Sequence, residues 1–154
     1  MRSGRHAVPA QPFWEVLTLA EMTPAQWEAL CDGCGRCCLQ KLRDEETREA
    51  FYTSVACRLL DIDSCRCTRY ADRRTIIPAC VVLTPDRIAR CDWLPRTCAY
   101  RLIHEGKPLP AWHPLVSNDP ESVHRAGISL RNKAISEVHV DARHLEAYII
   151  DAPI

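Results

Sequence analysis

The feature that most constrains this chain is a run of four cysteines within eight residues, CDGCGRCC, at positions 31–38. The first three have C-x-x-C-x-x-C spacing and the fourth follows directly: Cys31, Cys34, Cys37 and Cys38. An ideal helix would place all four within an arc of about 120°. Gly33 and Gly35 disfavour a regular helix, because glycine permits the positive φ angles that curl a backbone inward. We therefore predict a wrapped loop whose sulfur atoms and amide groups face one centre.

The ten cysteines of this chain are better explained by metal ligation or redox chemistry than by disulfides. The start, MRSGRHAVPAQPFWEV, lacks the apolar stretch of a secretory signal, and no apolar run approaches the roughly 18 residues of a membrane span. We therefore expect a cytoplasmic protein, in which thiols stay reduced. Twenty basic and twenty acidic residues cancel, so neither nucleic acid nor a membrane surface is an expected partner.

Length and pattern predict a small single domain of the α+β class, 1–154, with short helices and strands organised around a cysteine-ligated metal centre. The metal-binding core covers about residues 22–115. TPAQWEALC, at 23–31, has the capping pattern of a helix that ends at the octapeptide. Further helices are predicted from Thr84 and over about 97–106, and a strand and a helix over about 127–150.

Two kinds of metal centre use cysteine spacing of this type. A ferredoxin-type loop presents three thiolates at C-x-x-C-x-x-C spacing to a four-iron cluster, and a distant cysteine completes it. Zinc ribbons and fingers instead close a tetrahedral site with two separate pairs. Adjacent side chains such as Cys37 and Cys38 tend to diverge, so one of them faces a second metal or the centre is polynuclear. The C-x-x-C-x-x-C spacing, followed by a further cysteine, favours an iron-sulfur cluster over a zinc ion.

Later cysteines supply more donors than one centre requires. Cys65 and Cys67 would project to the same side of an extended segment and offer a bidentate bite. Nine candidates are available, whereas two four-thiolate sites need only eight. The candidate ligands are Cys31, Cys34, Cys37, Cys38, Cys57, Cys65, Cys67, Cys80 and Cys98.

Some residues near the cluster have a simpler interpretation. Cys91 is as readily a small buried apolar residue as a ligand, and His104 and His113 are better read as packing or surface residues. Several arginines lie among the cysteines, and their charge would lower thiol pKa values, although a solvated charged surface explains them equally well. They are Arg58, Arg66, Arg69, Arg73 and Arg74.

Six motifs in order carry a resemblance to a known family. They are CDGCGRCC, ACRLL, CRCTRYADRR, an isolated Cys80 before VVLT, WLPRTCAYRL and GKPLPAWHPL. Over about residues 12–115 the chain resembles the YcgN-like group of the CxxCxxCC cysteine-cluster family. The resemblance implies a zinc- or iron-chelating domain, and the family pattern falls on the nine candidate cysteines but not on Cys91. It implies no substrate and no catalytic residue.

These patterns leave four functions open. The favoured one is a non-catalytic or electron-carrying module that binds metal, with an iron-sulfur cluster preferred to zinc. An enzyme whose cluster supports chemistry elsewhere is less favoured, because the sequence has no G-x-G-x-x-G, Walker-type or H-E-x-x-H motif. A thiol redox protein is weaker still, although CDGC has C-x-x-C form. A purely structural zinc protein is a further alternative.

Overall fold

The computed structural model describes residues 10–150. Within them the regular elements are short, and no α-helix exceeds six residues. The α-helices are α1 Phe13–Val16, α2 Pro24–Ala29, α3 Arg73–Ile76, α4 Pro85–Ile88, α5 Ala99–His104, α6 Pro114–Ser117 and α7 Ser122–Arg125. The strands are β1 Leu39–Arg43, β2 Ala50–Ala56, β3 Leu60–Asp61, β4 Arg66–Cys67 and β5 Ile135–Ser136, and 3₁₀ turns cover Leu19–Glu21, Arg36–Cys38, Glu137–His139 and Ala142–Tyr148.

A three-stranded sheet forms the centre of the structure, in the order β1-β2-β5. β1 and β2 are antiparallel, and the Asp44 carboxylate closes their loop by accepting from the amides of Glu46 and Thr47 at 2.9 and 2.7 Å. β5 pairs in parallel with the end of β2. A separate two-stranded hairpin joins β3 to β4. The sheet therefore connects the octapeptide, which leads into β1, to the last part of the chain.

Two apolar clusters support the molecule. The first joins α2, α4 and α5 through residues such as Leu30, Ile88 and Tyr100. The second packs under the sheet and the small hairpin, and it includes Leu60 and Leu130. Burial of these side chains stabilises elements that are too short to persist alone.

The mixed α/β arrangement of short helices and strands confirms the coarse fold prediction. Thr23 caps α2 through a full capping box, and α4 begins after Thr84, both as predicted. The helix expected over about 97–106 is α5, and Gly106 follows it with a φ of +67°. In residues 10–150 no helix has the length and apolar character to cross a membrane.

The end of the described chain differs from its prediction. The expected strand over 126–140 is reduced to the two residues of β5. The segment after Asp141 is 3₁₀-helical instead of α-helical, and non-helical angles at His144 interrupt it. One bridge between Thr53 and Ile149 attaches this segment to β2.

Candidate metal centre

One cavity of about 630 Å³ gathers most of the predicted ligands. Eight of the nine candidate cysteines line it, together with Asp32, Lys41 and apolar side chains that include Trp27 and Trp93. The eight are Cys31, Cys34, Cys37, Cys38, Cys57, Cys67, Cys80 and Cys98. They come from separate loops and strands, so the tertiary fold brings them together.

The octapeptide forms the wrapped loop predicted from its glycines. Gly33 and Gly35 both have a φ of +76°, and the amide of Cys38 donates to the Gly35 carbonyl at 3.0 Å. The guanidinium of Arg66 covers Gly33 closely enough that a Cβ there would lie 2.9 Å from it. These turns replace a helix because each positive φ reverses the backbone direction locally.

The cysteine-free end of the chain fixes this loop from behind. The Leu130 amide donates to the Cys34 carbonyl at 2.9 Å, and the Arg36 side chain donates to the Ile128 carbonyl at 2.6 Å. The position of the loop therefore depends on residues far along the sequence.

Two hairpins bring the next cysteines to the loop. The Cys57 amide donates to the Cys38 carbonyl at 2.9 Å, and it continues the pairing of β1 with β2. Leu60, whose amide donates to the Cys57 carbonyl at 3.0 Å, lies opposite Cys67 in the β3-β4 hairpin. Cys80 follows α3, and its amide donates to the Ile77 carbonyl at 2.9 Å.

Packing of α5 on α2 positions Cys98, the residue just before α5. Tyr100 packs against Trp27 with ring centroids 4.6 Å apart, and its hydroxyl donates to the Trp27 carbonyl at 2.8 Å. Because Trp27 lies one turn before Cys31, these contacts hold the start of α5 against the start of the cysteine loop.

Two cysteines lie outside the cavity lining. Cys91 is buried in the first apolar cluster. Cys65 is buried in the second, where its thiol donates to the Ile62 carbonyl at 3.4 Å. The prediction of an extended C-R-C segment is wrong at Cys65, which has a φ of +56°. Cys67 lines the cavity and Cys65 does not. The assignment of Cys65 as a ligand stays a prediction.

Burial has the largest influence on the pKa of four cavity thiols. It raises the pKa of Cys31 to about 11 and that of Cys98 to about 12, and it also raises the pKa of Cys34 and Cys57. Arg66 does lower the pKa of Cys31, as expected, but burial outweighs it and the net shift is upward. Arg58 and Arg69 instead pair with Glu137 and Asp72, and Arg73 stacks on Tyr70.

Cys37 is the exception among these thiols. The Cys38 thiol donates to the Cys37 sulfur, and this lowers the pKa of Cys37 and raises that of Cys38. Lys41 adds to the lowering of the Cys37 pKa, and its ammonium donates to the Cys37 carbonyl at 2.9 Å. The ammonium also lies 4.7 Å from the centre of the Trp93 ring. Lys41 was not identified from sequence, because only its place in β1 beside the loop reveals this contact.

Asp32 is a second functional candidate that the sequence did not reveal. It is only 5% exposed, and its Oδ1 atom accepts from the Cys34 amide at 2.9 Å. Its Oδ2 atom is buried and has no hydrogen-bond partner. An unpaired buried carboxylate oxygen costs free energy, which a cation nearby would offset. The only available signal was the position of Asp32 inside the octapeptide.

His113 is buried but has no capacity left for a metal. Its Nε2 atom contacts the Leu30 carbonyl at 3.0 Å, and its Nδ1 atom accepts from the Leu115 amide at 3.1 Å. A neutral imidazole that donates from Nε2 satisfies both bonds. The histidine therefore supports the end of α2 as a packing residue.

The donor chemistry of the cavity fits a thiolate-binding metal. Thiolates are the ligands that zinc and iron-sulfur clusters prefer, and Asp32 leaves a buried oxygen beside them. Over residues 10–150, however, no three histidine, cysteine, aspartate or glutamate side chains are arranged to hold a metal ion. Sulfur atoms must therefore turn inward on binding, which χ1 rotation of a cysteine permits. All ten cysteines are free thiols available for such movement.

Comparisons with known proteins support metal binding by this chain. A family model described as "Putative zinc- or iron-chelating domain", CxxCxxCC, matches residues 30–99. No solved structure gives a significant match. A UPF0260 protein of Granulibacter bethesdensis is 59% identical over 94% of this chain and 86% of its own length. Relatives from Rhizorhabdus wittichii (59% identical; 92% of this chain, 95% of theirs) and Cellvibrio japonicus (54%; 93% and 97%) carry the same family name. The chain belongs to the UPF0260 family, and its residues 31–38 have the CxxCxxCC spacing.

Proposed function

We propose that this protein binds an iron-sulfur centre in the cysteine-lined cavity and acts as a non-catalytic, electron-carrying module in the cytoplasm. The observation that supports the proposal is the convergence of eight cysteines on one cavity. The proposal includes the finer YcgN-like grouping and assigns no catalytic residue. When bound, an iron-sulfur centre supplies a one-electron redox couple whose potential depends on the surrounding charge and hydrogen bonds.

The size and lining of the cavity favour a cluster over a single ion. The cavity has a volume of about 630 Å³ and opens to solvent. A single zinc ion with four sulfurs at about 2.3 Å fills far less space. The aromatic and aliphatic lining lowers the local dielectric, and Lys41 offsets part of the negative charge of the thiolates.

Structural zinc is the second candidate, and the short elements around the cavity favour it. β3 and β4 contain two residues each, and α3 contains four. Elements of this length gain stability when a metal joins them, because the binding free energy of a structural metal is also folding free energy.

A thiol-disulfide oxidoreductase fits the structure less well. A reactive C-x-x-C thiol needs a lowered pKa. Burial instead raises the pKa of both Cys31 and Cys34, which form the C-x-x-C pair of the octapeptide. The paired thiols of CDGC are therefore suited to ligation and poorly suited to nucleophilic attack.

Anaerobic purification tests the proposal directly. Absorption spectra, iron and zinc contents and acid-labile sulfide are measured on folded protein, and native thiols are alkylated with iodoacetamide before and after metal removal. An iron-sulfur protein shows broad absorbance near 400 nm, about equal iron and sulfide, and thiols protected until the metal is removed. Colourless protein with zinc supports the second candidate. Folded protein with neither metal overturns the proposal.

A further inference from the structure

We infer that the eight cavity cysteines form two separate four-thiolate sites, divided between the neighbours Cys37 and Cys38. The first site consists of Cys31, Cys34, Cys37 and Cys98. The second consists of Cys38, Cys57, Cys67 and Cys80. This inference rests on the proposed function and specifies how the metal is held.

Coordination number sets the count of sites. A zinc ion takes four thiolates, and an iron-sulfur cluster of the common types is also held by four. The cavity lining contains eight cysteines once Cys65 and Cys91 are set aside in the apolar clusters. Eight donors therefore match two four-thiolate centres, whichever of the two metals is bound.

The first site is assembled where α5 meets the end of α2. Cys31 and Cys34 belong to the loop, and Asp32 accepts from the Cys34 amide between them. Cys98 is brought to this end because the Tyr100 hydroxyl donates to the Trp27 carbonyl at 2.8 Å. The buried Oδ2 atom of Asp32 lies in the same group.

The second site is assembled by the two hairpins. The backbone bond from Cys57 to Cys38 places these residues side by side. Cys67 joins them because Leu60 pairs with Cys67 and also donates to the Cys57 carbonyl. Cys80 lines the same cavity from the segment after α3.

Cys37 and Cys38 lie at the boundary between the two groups, in one 3₁₀ turn. The backbone bond from Cys57 assigns Cys38 to the second group, and the C-x-x-C spacing from Cys34 leaves Cys37 in the first. The two centres would therefore be neighbours.

Single and double cysteine variants test the division by anaerobic native mass spectrometry. Wild-type protein should carry two centres, and Cys34→Ser or Cys67→Ser should each retain one. A double variant within one site, Cys34→Ser with Cys98→Ser, should also retain one centre. A double variant across the sites, Cys34→Ser with Cys67→Ser, should retain none. Cys91→Ala should retain both.

Three outcomes would overturn the inference while leaving the proposed function intact. These are a wild-type protein with one centre, a folded Cys34→Ser variant with none, or a within-site double variant that loses more metal than the across-site one. Metal-free wild type would reject the proposed function itself, so the two failures are distinguishable.

Alkylation of wild-type protein covers the case in which a variant fails to fold. Metal-free protein is loaded with zinc to half saturation, alkylated with iodoacetamide and mapped by peptide mass spectrometry. Protection should rise together within Cys31, Cys34, Cys37 and Cys98, and separately within Cys38, Cys57, Cys67 and Cys80. Uniform protection of all eight at every zinc level would contradict two separate sites.

Discussion

The backbone amide of Cys57 donates a 2.9 Å hydrogen bond to the carbonyl oxygen of Cys38. This bond extends the β1-β2 pairing, in which Leu39 lies opposite Ala56. The sheet itself therefore holds two candidate ligands side by side, without help from a metal. Substitution of other cysteines in the cavity should therefore report on metal binding by sulfur, because the backbone bond between Cys57 and Cys38 stays in place.

Replacement of Cys34 by serine should remove one centre and lower the melting temperature of the metal-loaded protein by about 5 to 10 °C. A site saturated at 100 times its Kd contributes about 2.7 kcal/mol, and each kcal/mol corresponds to about 2 to 4 °C in a chain of this size. Elemental analysis and calorimetry measure both effects. Cys91→Ala is the control: it should keep its metal and lose only about 1 kcal/mol of packing. Full metal content in Cys34→Ser would remove Cys34 from the ligand set.

Replacement of Asp32 by asparagine should weaken metal binding and stabilise the metal-free protein. The amide oxygen can still accept from the Cys34 amide, whereas the charge of the buried, unpartnered Oδ2 atom is lost. Residues that support a metal site in this way typically contribute about 10- to 100-fold in affinity. Zinc competition with a chromophoric chelator and urea unfolding of metal-free protein measure the two effects. If Asp32 only caps the loop, both quantities will match those of the wild type.

Replacement of Gly35 by alanine should destabilise the metal-free protein by about 2 to 5 kcal/mol. About 1 to 2 kcal/mol comes from the left-handed backbone, and overpacking adds about 1 to 3 kcal/mol, because the new Cβ would lie 3.3 Å from the Cys65 Cβ and 3.5 Å from Leu130 and Leu60. Gly106→Ala is the matched control for the Gly35 substitution. Gly106 has a similar positive φ, but nothing lies within 4 Å of its Cβ position, so only the backbone cost applies. Equal unfolding free energies for the two variants would show that the loop does not pack as described.

Zinc affinity should rise steeply with pH between about 6 and 8. The pKa of Cys31 is raised to about 11 and that of Cys98 to about 12, so both thiols must lose a proton to bind. These two groups alone predict an increase of about 100-fold in affinity per pH unit. Chelator competition at several pH values measures the slope. The Cys91→Ala variant should show the wild-type slope, and a slope below one decade per pH unit would mean that Cys31 and Cys98 do not both bind as thiolates.

The free energy of unfolding of the metal-free protein should fall as the pH rises above about 9. A folded-state thiol pKa raised above its usual value of 9.0 means that the folded protein retains protons that the unfolded chain loses. Stability is therefore unaffected well below pH 9 and falls as the pH rises from about 9 towards 11. Urea unfolding under reducing conditions measures the trend. Stability that rises across this range would contradict the burial of these thiols.

Local sequence signals predicted the local features well. Thr23 and Gln26 form a capping box whose two hydrogen bonds involve residues three apart, so their pattern is visible in the chain. Gly33 and Gly35 predicted the wrapped loop for the same reason. In contrast, the C-R-C bite failed because Cys65 adopts a positive φ, which a non-glycine residue rarely does and no local pattern signalled.

Features that depend on distant residues could not be predicted. Arg58 pairs with Glu137, so its charge does not act on the thiols as its position beside Cys57 had suggested. Asp32 and Lys41 gain their importance only from the packing of β1 and α5 around the loop. Eight of the nine candidate cysteines line one cavity and Cys65 does not, and their role as ligands stays a prediction. The proposed division into two sites depends on hairpin and helix contacts that the sequence does not show.

The hydrogen bond from the Leu130 amide to the Cys34 carbonyl has a consequence for the order of events in biosynthesis. Leu130 follows Cys34 by about 100 residues, which a ribosome adds in about 5 to 20 s. During that interval the octapeptide has left the peptidyl-transferase centre, but the segment that anchors it has not yet been translated. We therefore expect stable binding of the proposed metal centre to follow the translation of Leu130.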